Sequence, residues 1–189
     1  MNQPKKSLLL AAFFIFGLSL TNALAQIPTA KPSEPSFDIV LQTVVASNDS
    51  GKAEIAPPLS GVVRKLKTDF PFTNYRLTST AFQRISNRGN LESKSVSYLA
   101  DNNNLAVFSD WSINGLESSI DEKNQETIQI QSFRFGQRIP INNTINYEQI
   151  GLTTRFSLAK NTPTVIGSLT TSKPDELMFL ILTVKSAEK

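Results

Sequence analysis

Ser157 and Lys160, in "SLAK", stand at the Ser-x-x-Lys spacing of serine acyl-enzymes. That chemistry needs the lysine amine one helical turn beyond the hydroxyl it deprotonates. Here the pair closes an alternating run, "IGLTTRFSLA", in which positions i and i+3 point to opposite faces of a strand. No Lys-Thr-Gly accompanies it. Two other groups hold carboxylates, Asp121-Glu122 and Asp175-Glu176. Glycoside hydrolysis uses two carboxylates facing each other across ~5–9 Å, whereas adjacent acids in turn segments read as solvated charges. Asp101-Asn102-Asn103-Asn104 is oxygen-rich but lacks the spaced acids and terminal Glu of a calcium loop, and reads as a polar hairpin turn. Asn48-Asp49-Ser50 and Asn142-Asn143-Thr144 are glycosylation sequons, meaningful only in a eukaryotic host.

The chain has no His and no Cys. That removes Ser-His-Asp and Cys-His nucleophiles and the imidazole and thiolate ligands of most zinc sites. No catalytic, cofactor-binding or metal residue is assigned, and no cofactor is expected. Trp111, the single Trp, in "FSDWSI", is the one residue named as a ligand or partner contact. The competing place for a lone Trp in a β-domain is the core.

The elements that position these residues are mostly strands. "FDIVLQTVVAS", rich in β-branched residues, ends at the turn cluster "NDSG" and reads as a largely buried strand. Pro57-Pro58 then opens a segment with Leu59, Val62, Val63, Leu66 and Phe70 at helical spacing, closed by Pro71. One short amphipathic helix near residues 58–70 follows from that stripe. Arg64, Lys65 and Lys67 lie off it, on a solvated face. "NYRLTSTAFQRIS" and "ESKSVSYLA" flank "NRGN", a hairpin signal with Gly89 available for positive φ. "LAVFSDWSI" lies between the turn clusters "DNNN" and "NG". In "ETIQIQSFRFGQRIP" the apolar positions change parity between Ile130 and Phe133. Ile128 and Ile130 are expected on one face, Phe133 and Phe135 on the other, with a bulge or twist near Ser132. "IGLTTRFSLA", "TVIGSLTT" and "LMFLILTVK" complete the set. The last run, Leu177–Val184, is far shorter than the ~20 residues a spanning helix needs. It is apolar at successive positions, as in a strand buried on both faces. The fold class is therefore β-rich α+β, a mainly antiparallel sheet or sandwich with one short helix.

Met1–Ala25 has basic Lys5-Lys6, an apolar run from Leu8 to Leu20 and a small-x-small site at Ala23-Leu24-Ala25. This is the anatomy of a secretory signal peptide, with cleavage expected after Ala25. The alternative is an uncleaved N-terminal anchor, since the apolar run approaches the shortest spanning lengths. No Cys follows the site, so a lipoprotein anchor there is chemically excluded. Residues 26–35 are a Pro-rich leader, and 36–187 a single β-rich domain with an N-terminal strand–helix–strand–strand part over 37–99. Loss of Lys5 and Lys6 turns 19 basic residues into 17 against 16 acidic ones, so nucleic-acid binding has little electrostatic support. No transmembrane span is expected in the mature chain, whose location is periplasmic or extracellular, or associated with an outer membrane.

"GQRIPI" (136–141), "INYEQIGLTTRFSL" (145–158), Thr164–Leu169 and Glu176–Thr183 resemble, in order, the C-terminal strands of bacterial secretins. That family has a G-x-x-(I/V)-P strand, a Y-x-x-(I/V)-G-(I/L)-x-L strand, a "TVVIGGL"-like strand and a closing "ELLIFLTPRI". The resemblance covers residues 136–185. Its departures are Ser168 where the family has a second glycine, no proline near the closing strand, and no room between Ser157 and Pro163 for the long barrel hairpins. The order of elements in 37–99 is similar to the small βαββα modules that precede secretin barrels. The resemblance implies a secretin-like chain too short to be a full channel. Three function classes follow: an exported non-enzymatic envelope protein acting through protein contact at an exposed strand edge, an accessory of a secretion or pilus assembly; a small-ligand-binding β-sandwich using Trp111; and a hydrolase using carboxylates or Ser/Lys.

Overall fold

The computed structural model describes residues 34–187 apart from 51–54, 99–104, 121–124, 142–145, 172 and 174. The signal peptide, the leader up to Ser33, the "DNNN" cluster, Asp121-Glu122 and the sequon at Asn142 lie outside the described residues. The described residues form one compact unit.

Eight strands run in chain order: β1 (Ser36–Ser47), β2 (Asn74–Ser86), β3 (Leu91–Tyr98), β4 (Ala106–Ile120), β5 (Glu126–Pro140), β6 (Tyr147–Ala159), β7 (Thr164–Thr170) and β8 (Glu176–Ser186). Between β1 and β2 a single 3-10 turn, Pro57–Leu59, leads into helix α1 (Ser60–Asp69). The strands make two four-stranded sheets, ordered β2-β1-β8-β7 and β3-β4-β5-β6, with every pairing antiparallel.

The central strands of the first sheet, β1 and β8, are covered on both faces where the helix lies, which explains their composition. Phe37, Ile39 and Leu41 of β1 and Met178, Leu180, Leu182 and Val184 of β8 join Ile113, Leu116, Ile128, Ile130 and Phe133 in the core between the sheets. The alternate positions Val44, Ala46, Phe179 and Ile181 meet Leu59, Val63 and Leu66 of the helix segment. A strand lying between a sheet and a helix has no solvent face, so its sequence shows no alternation. The run Met178–Val184 is thus a core strand, buried throughout. The stripe expected on the helix is the one it buries, with Val62 and Phe70 packed at its margin, while Arg64, Lys65 and Lys67 are exposed. Tyr75 donates its hydroxyl to the Phe70 carbonyl at 2.9 Å, closing the helix C-terminus. Among the described residues no helix is long and apolar enough to cross a membrane.

Three local expectations are corrected. "NRGN" does not close a hairpin. β2 pairs with β1 and β3 with β4, so residues 87–90 carry the chain from one sheet to the other. The polar groups of that corner bond to β4 and to the start of β1: Arg88 N–H donates to Leu116 O at 2.7 Å and Asn87 N–H to Pro35 O at 2.8 Å. The Asn90 and Asn87 side-chain oxygens accept from the backbone N–H groups of Gly115 and Ser118. The left-handed residue there is Arg88, at φ 60, while Gly89 makes the i+3 bond to Ser86 O at 2.9 Å. Likewise "NG" at 114–115 does not end its strand; β4 runs on to Ile120 with Gly115 at φ 65. Finally, the parity change in β5 is a bulge, with the register against β6 shifting between Ile130 and Phe133. Its effect is to return the apolar set to one face, so Ile128, Ile130, Phe133 and Phe135 all enter the same core.

Candidate functional site: the outer face of the second sheet

Because Val107, Trp111 and Ile113 of β4 and Phe133 and Phe135 of β5 turn inward, the alternate residues of these strands must face away from the core. The register places them in cross-strand rows. Val96, Phe108, Arg138 and Gln149 make one; Lys94, Asp110, Gly136 and Gly151 the next; Glu92, Ser112, Arg134 and Thr153 the third.

The first row is aromatic and cationic. The Phe108 ring meets Tyr147 edge-on at 5.8 Å, and the Arg138 guanidinium lies 4.8 Å from the Phe108 ring centre. Val96 and Tyr98 are 53% and 66% exposed, a large apolar presence for solvent-facing positions. The middle row carries Lys94 and Asp110 on β3 and β4 and has no side chain on β5 and β6, where the Asp110 carboxylate reaches over Gly136. A methyl group on Gly136 would stand 2.8 Å from an Asp110 carboxylate oxygen, and one on Gly151 only 2.5 Å from the Phe135 carbonyl oxygen. Two shallow depressions, of about 400 and 350 Å³, adjoin at Arg134: one over Asn90, Glu92, Asp110, Ser112 and Asn114, the other over Gly136, Gln149, Gly151 and Thr153.

Charge on this face is unevenly matched. Glu92 is 3.0 Å from Lys94, and Glu117 is 3.9 Å from Arg88. Arg134, Arg138 and Arg155 are exposed and have no carboxylate partner among the described residues. Among the described residues neither lateral edge of the sheet is paired with a further strand, although Gly167 of β7 lies against Leu152 of β6. From Lys94 to Tyr98 every residue of β3 is exposed, so that strand projects past the core. β6 differs: Ile150, Leu152 and Phe156 on its inner side pack against the core margin, while its outer side is exposed.

The sequence-singled residues fall as follows. Trp111 is 3% exposed, its ring tilted against Phe133 at 6.5 Å in the inter-sheet core. Its neighbours Asp110 and Ser112 face the other way, and the three border the larger depression. Ser157 lies opposite Gln129 on the exposed side of β6. Lys160 is bonded to the Glu126 carboxylate, whose second oxygen accepts from Ser118 Oγ at 2.7 Å. These two bonds hold the Glu126 carboxyl below its ordinary value, the Lys160 bond being the larger cause. Lys160 is therefore engaged away from Ser157. Asp175 is exposed, and Glu176 pairs with Lys173 at 3.0 Å. The outer-face rows were not singled out from sequence. Their signal is the polar half of each alternating strand, readable only once the pairing is known.

No protein-family model matches the chain, and no curated protein matches it in sequence. In structure it is similar to the secretin InvG (residues 176 to the end, open gate state) of the Salmonella SPI-1 type III secretion injectisome. The match has 8% identity, covers 98% of this chain and 67% of that one, and has a TM-score of 0.37. Similarity at that level does not define a common fold. The likeness to secretins is weak, and rests on the short motifs that the structure distributes over the end of β5, β6, β7 and β8.

Proposed function

We propose that this is an exported, non-enzymatic protein of the bacterial envelope that acts through protein contact at the outer face of the second sheet. The observation that carries the reading is the juxtaposition of exposed Tyr98, Val96 and Tyr147 with Arg134, Arg138 and Arg155, which have no ion-pair partner among the described residues. Tyr and Arg are the residue types that dominate contact energies in protein interfaces. Export rests on the signal-peptide anatomy of Met1–Ala25. The finer role, an accessory of a secretion or pilus assembly placed in the periplasm, outside the cell or against the outer membrane, rests on the secretin-like order of motifs in residues 136–185.

Contact is favoured over a small-ligand site by shape. Ligand pockets enclose most of their ligand, whereas the two depressions here are open on a sheet and the Trp111 ring is packed below them. A Ser/Lys hydrolase is disfavoured because Lys160 is bound to Glu126.

The test is in-cell photo-crosslinking from single positions. Probes at Tyr98 and Tyr147 should yield the same discrete protein adduct in the envelope fraction. A probe at Phe82, 58% exposed on the first sheet, should not. Absence of an outer-face adduct, or one formed equally from Phe82, overturns the reading. Export is checked separately by sequencing the mature N-terminus, which should begin at Gln26.

A further inference from the structure

β6 closes the second sheet with 13 residues and no neighbouring strand in that sheet on its far side. The two sides of this edge carry different chemistry. Arg155 points outward from β6 itself, and Arg134 and Arg138 stand opposite Thr153 and Gln149 on β5. They lie one strand spacing (about 4.8 Å) inside the edge, within reach of a long side chain. On the inner side, half-buried Ile150, Leu152 and Phe156 form an incompletely covered apolar margin. The opposite edge offers neither feature. β3 has eight residues, its Lys94 is paired with Glu92, and beyond Ser93 both of its faces are exposed.

The geometry points to an acidic, extended polypeptide segment that adds to β6 as a fifth strand. Its carboxylates would stand at alternate positions toward Arg155, Arg134 and Arg138, with apolar residues between them covering Ile150, Leu152 and Phe156. This rests on the reading of the outer face as a protein-contact surface and names the chemistry of the partner. Backbone pairing along an open edge supplies affinity without pockets, and side chains at every second position supply selectivity. A carboxylate directly opposite Arg155 would have its Cβ about 5 Å away, close enough for an ion pair. Edges protected against such pairing carry proline, inward-facing charge or a cover. β6 has no proline, and its inward charge is Glu148, at the start of the strand, which confines the added strand to the stretch from Ile150 onward. β7 covers only part of its inner side, touching Leu152 through Gly167 while pairing with β8.

The probe is a short synthetic peptide alternating Glu and Val, tested on the mature protein by fluorescence anisotropy and amide hydrogen exchange. A Lys-for-Glu version and a version N-methylated at alternate backbone nitrogens serve as comparisons. The Glu peptide should bind, more weakly as salt rises, and should protect amides of β6 but not of β3. Both comparison peptides should fail. Arg155→Glu should weaken binding about fivefold, with Arg155→Gln intermediate, while Lys94→Glu leaves it unchanged. Unaltered Trp111 fluorescence in each variant shows that the fold is intact. No binding, equal binding of the N-methylated peptide, protection on β3, or indifference to Arg155→Glu overturns the proposal. So does equal, arginine-dependent binding of DNA or anionic vesicles without β6 protection, which would make the face a polyanion site. Outer-face crosslinks together with a failed peptide would sink strand addition alone; absent crosslinks would sink the contact reading itself.

Discussion

Glu126 opens β5 at the meeting of three strand ends, bonded to Ser118 of β4 and to Lys160 just after β6. These bonds favour its ionised form, so its carboxyl titrates below the ordinary 4.5 in the folded protein. An unfolded chain takes up that proton first. The stabilisation is therefore present above pH 4.5 and is lost as pH falls through the lower folded value. Glu126→Gln should cost about 0.5–1 kcal/mol at neutral pH, the carboxylate being a third exposed, and should flatten the acid limb of stability in urea titrations. An acid limb as steep as the parent's would refute this role. Some acid sensitivity should survive, because bidentate hydrogen bonding from Arg84, at 2.7 and 3.1 Å, also holds the Asp38 carboxyl below its ordinary 3.8. Neither pair was legible in the sequence. The partners lie 34 and 46 residues apart, and nothing local distinguishes them from solvated charges.

Among the elements, β4 and β5 show how one glycine can be read two ways. Asn114-Gly115 is the usual sign of a tight turn, since Gly tolerates the left-handed region. Here the same tolerance serves an irregularity within a continuous strand: Gly115 stands at φ 65, and an added methyl would press on the Gln131 side chain at 2.9 Å. Gly115→Ala should therefore cost about 1–2 kcal/mol, measured by urea denaturation; a neutral effect would show that β4 can relax there. The parity change in β5 was legible, because a period of two cannot skip a residue without a bulge. Its consequence, all four apolar residues on one face, required the β6 register. The NRGN corner failed for the same reason as Asn114-Gly115. A turn signal tells that the chain turns, and not whether the next strand returns to the same sheet.

At the scale of the molecule, β8 belongs to both cores. Phe179 touches the helix-side cluster, with Phe70 at 5.0 Å and Tyr75 at 6.3 Å, while Met178 and Leu180 face the second sheet. The two cores should unfold together. Phe179→Ala should destabilise by about 3–5 kcal/mol. The loss should appear equally in Trp111 fluorescence, which reports the inter-sheet core, and in amide exchange of Ser60–Asp69. A helix that melts first, leaving the Trp111 transition in place, would contradict a shared core.

Periodicity by itself determined most of the strands (β4 only as far as Ile113), the helix stripe, the irregularity in β5 and the burial of Met178–Val184 on both faces, because each is written in the spacing of neighbouring residues. The absence of His and Cys likewise narrowed the available chemistry before any coordinate was known. Tertiary structure alone decided which strands pair, that residues 87–90 cross between sheets, that Trp111 faces inward while Asp110 and Ser112 face out, and that three arginines gather near the β6 edge without an ion-pair partner among the described residues. Alternation says that a strand has two faces. Which face is covered, and what its polar side can meet, depends on partners tens of residues away and is fixed only when the register closes.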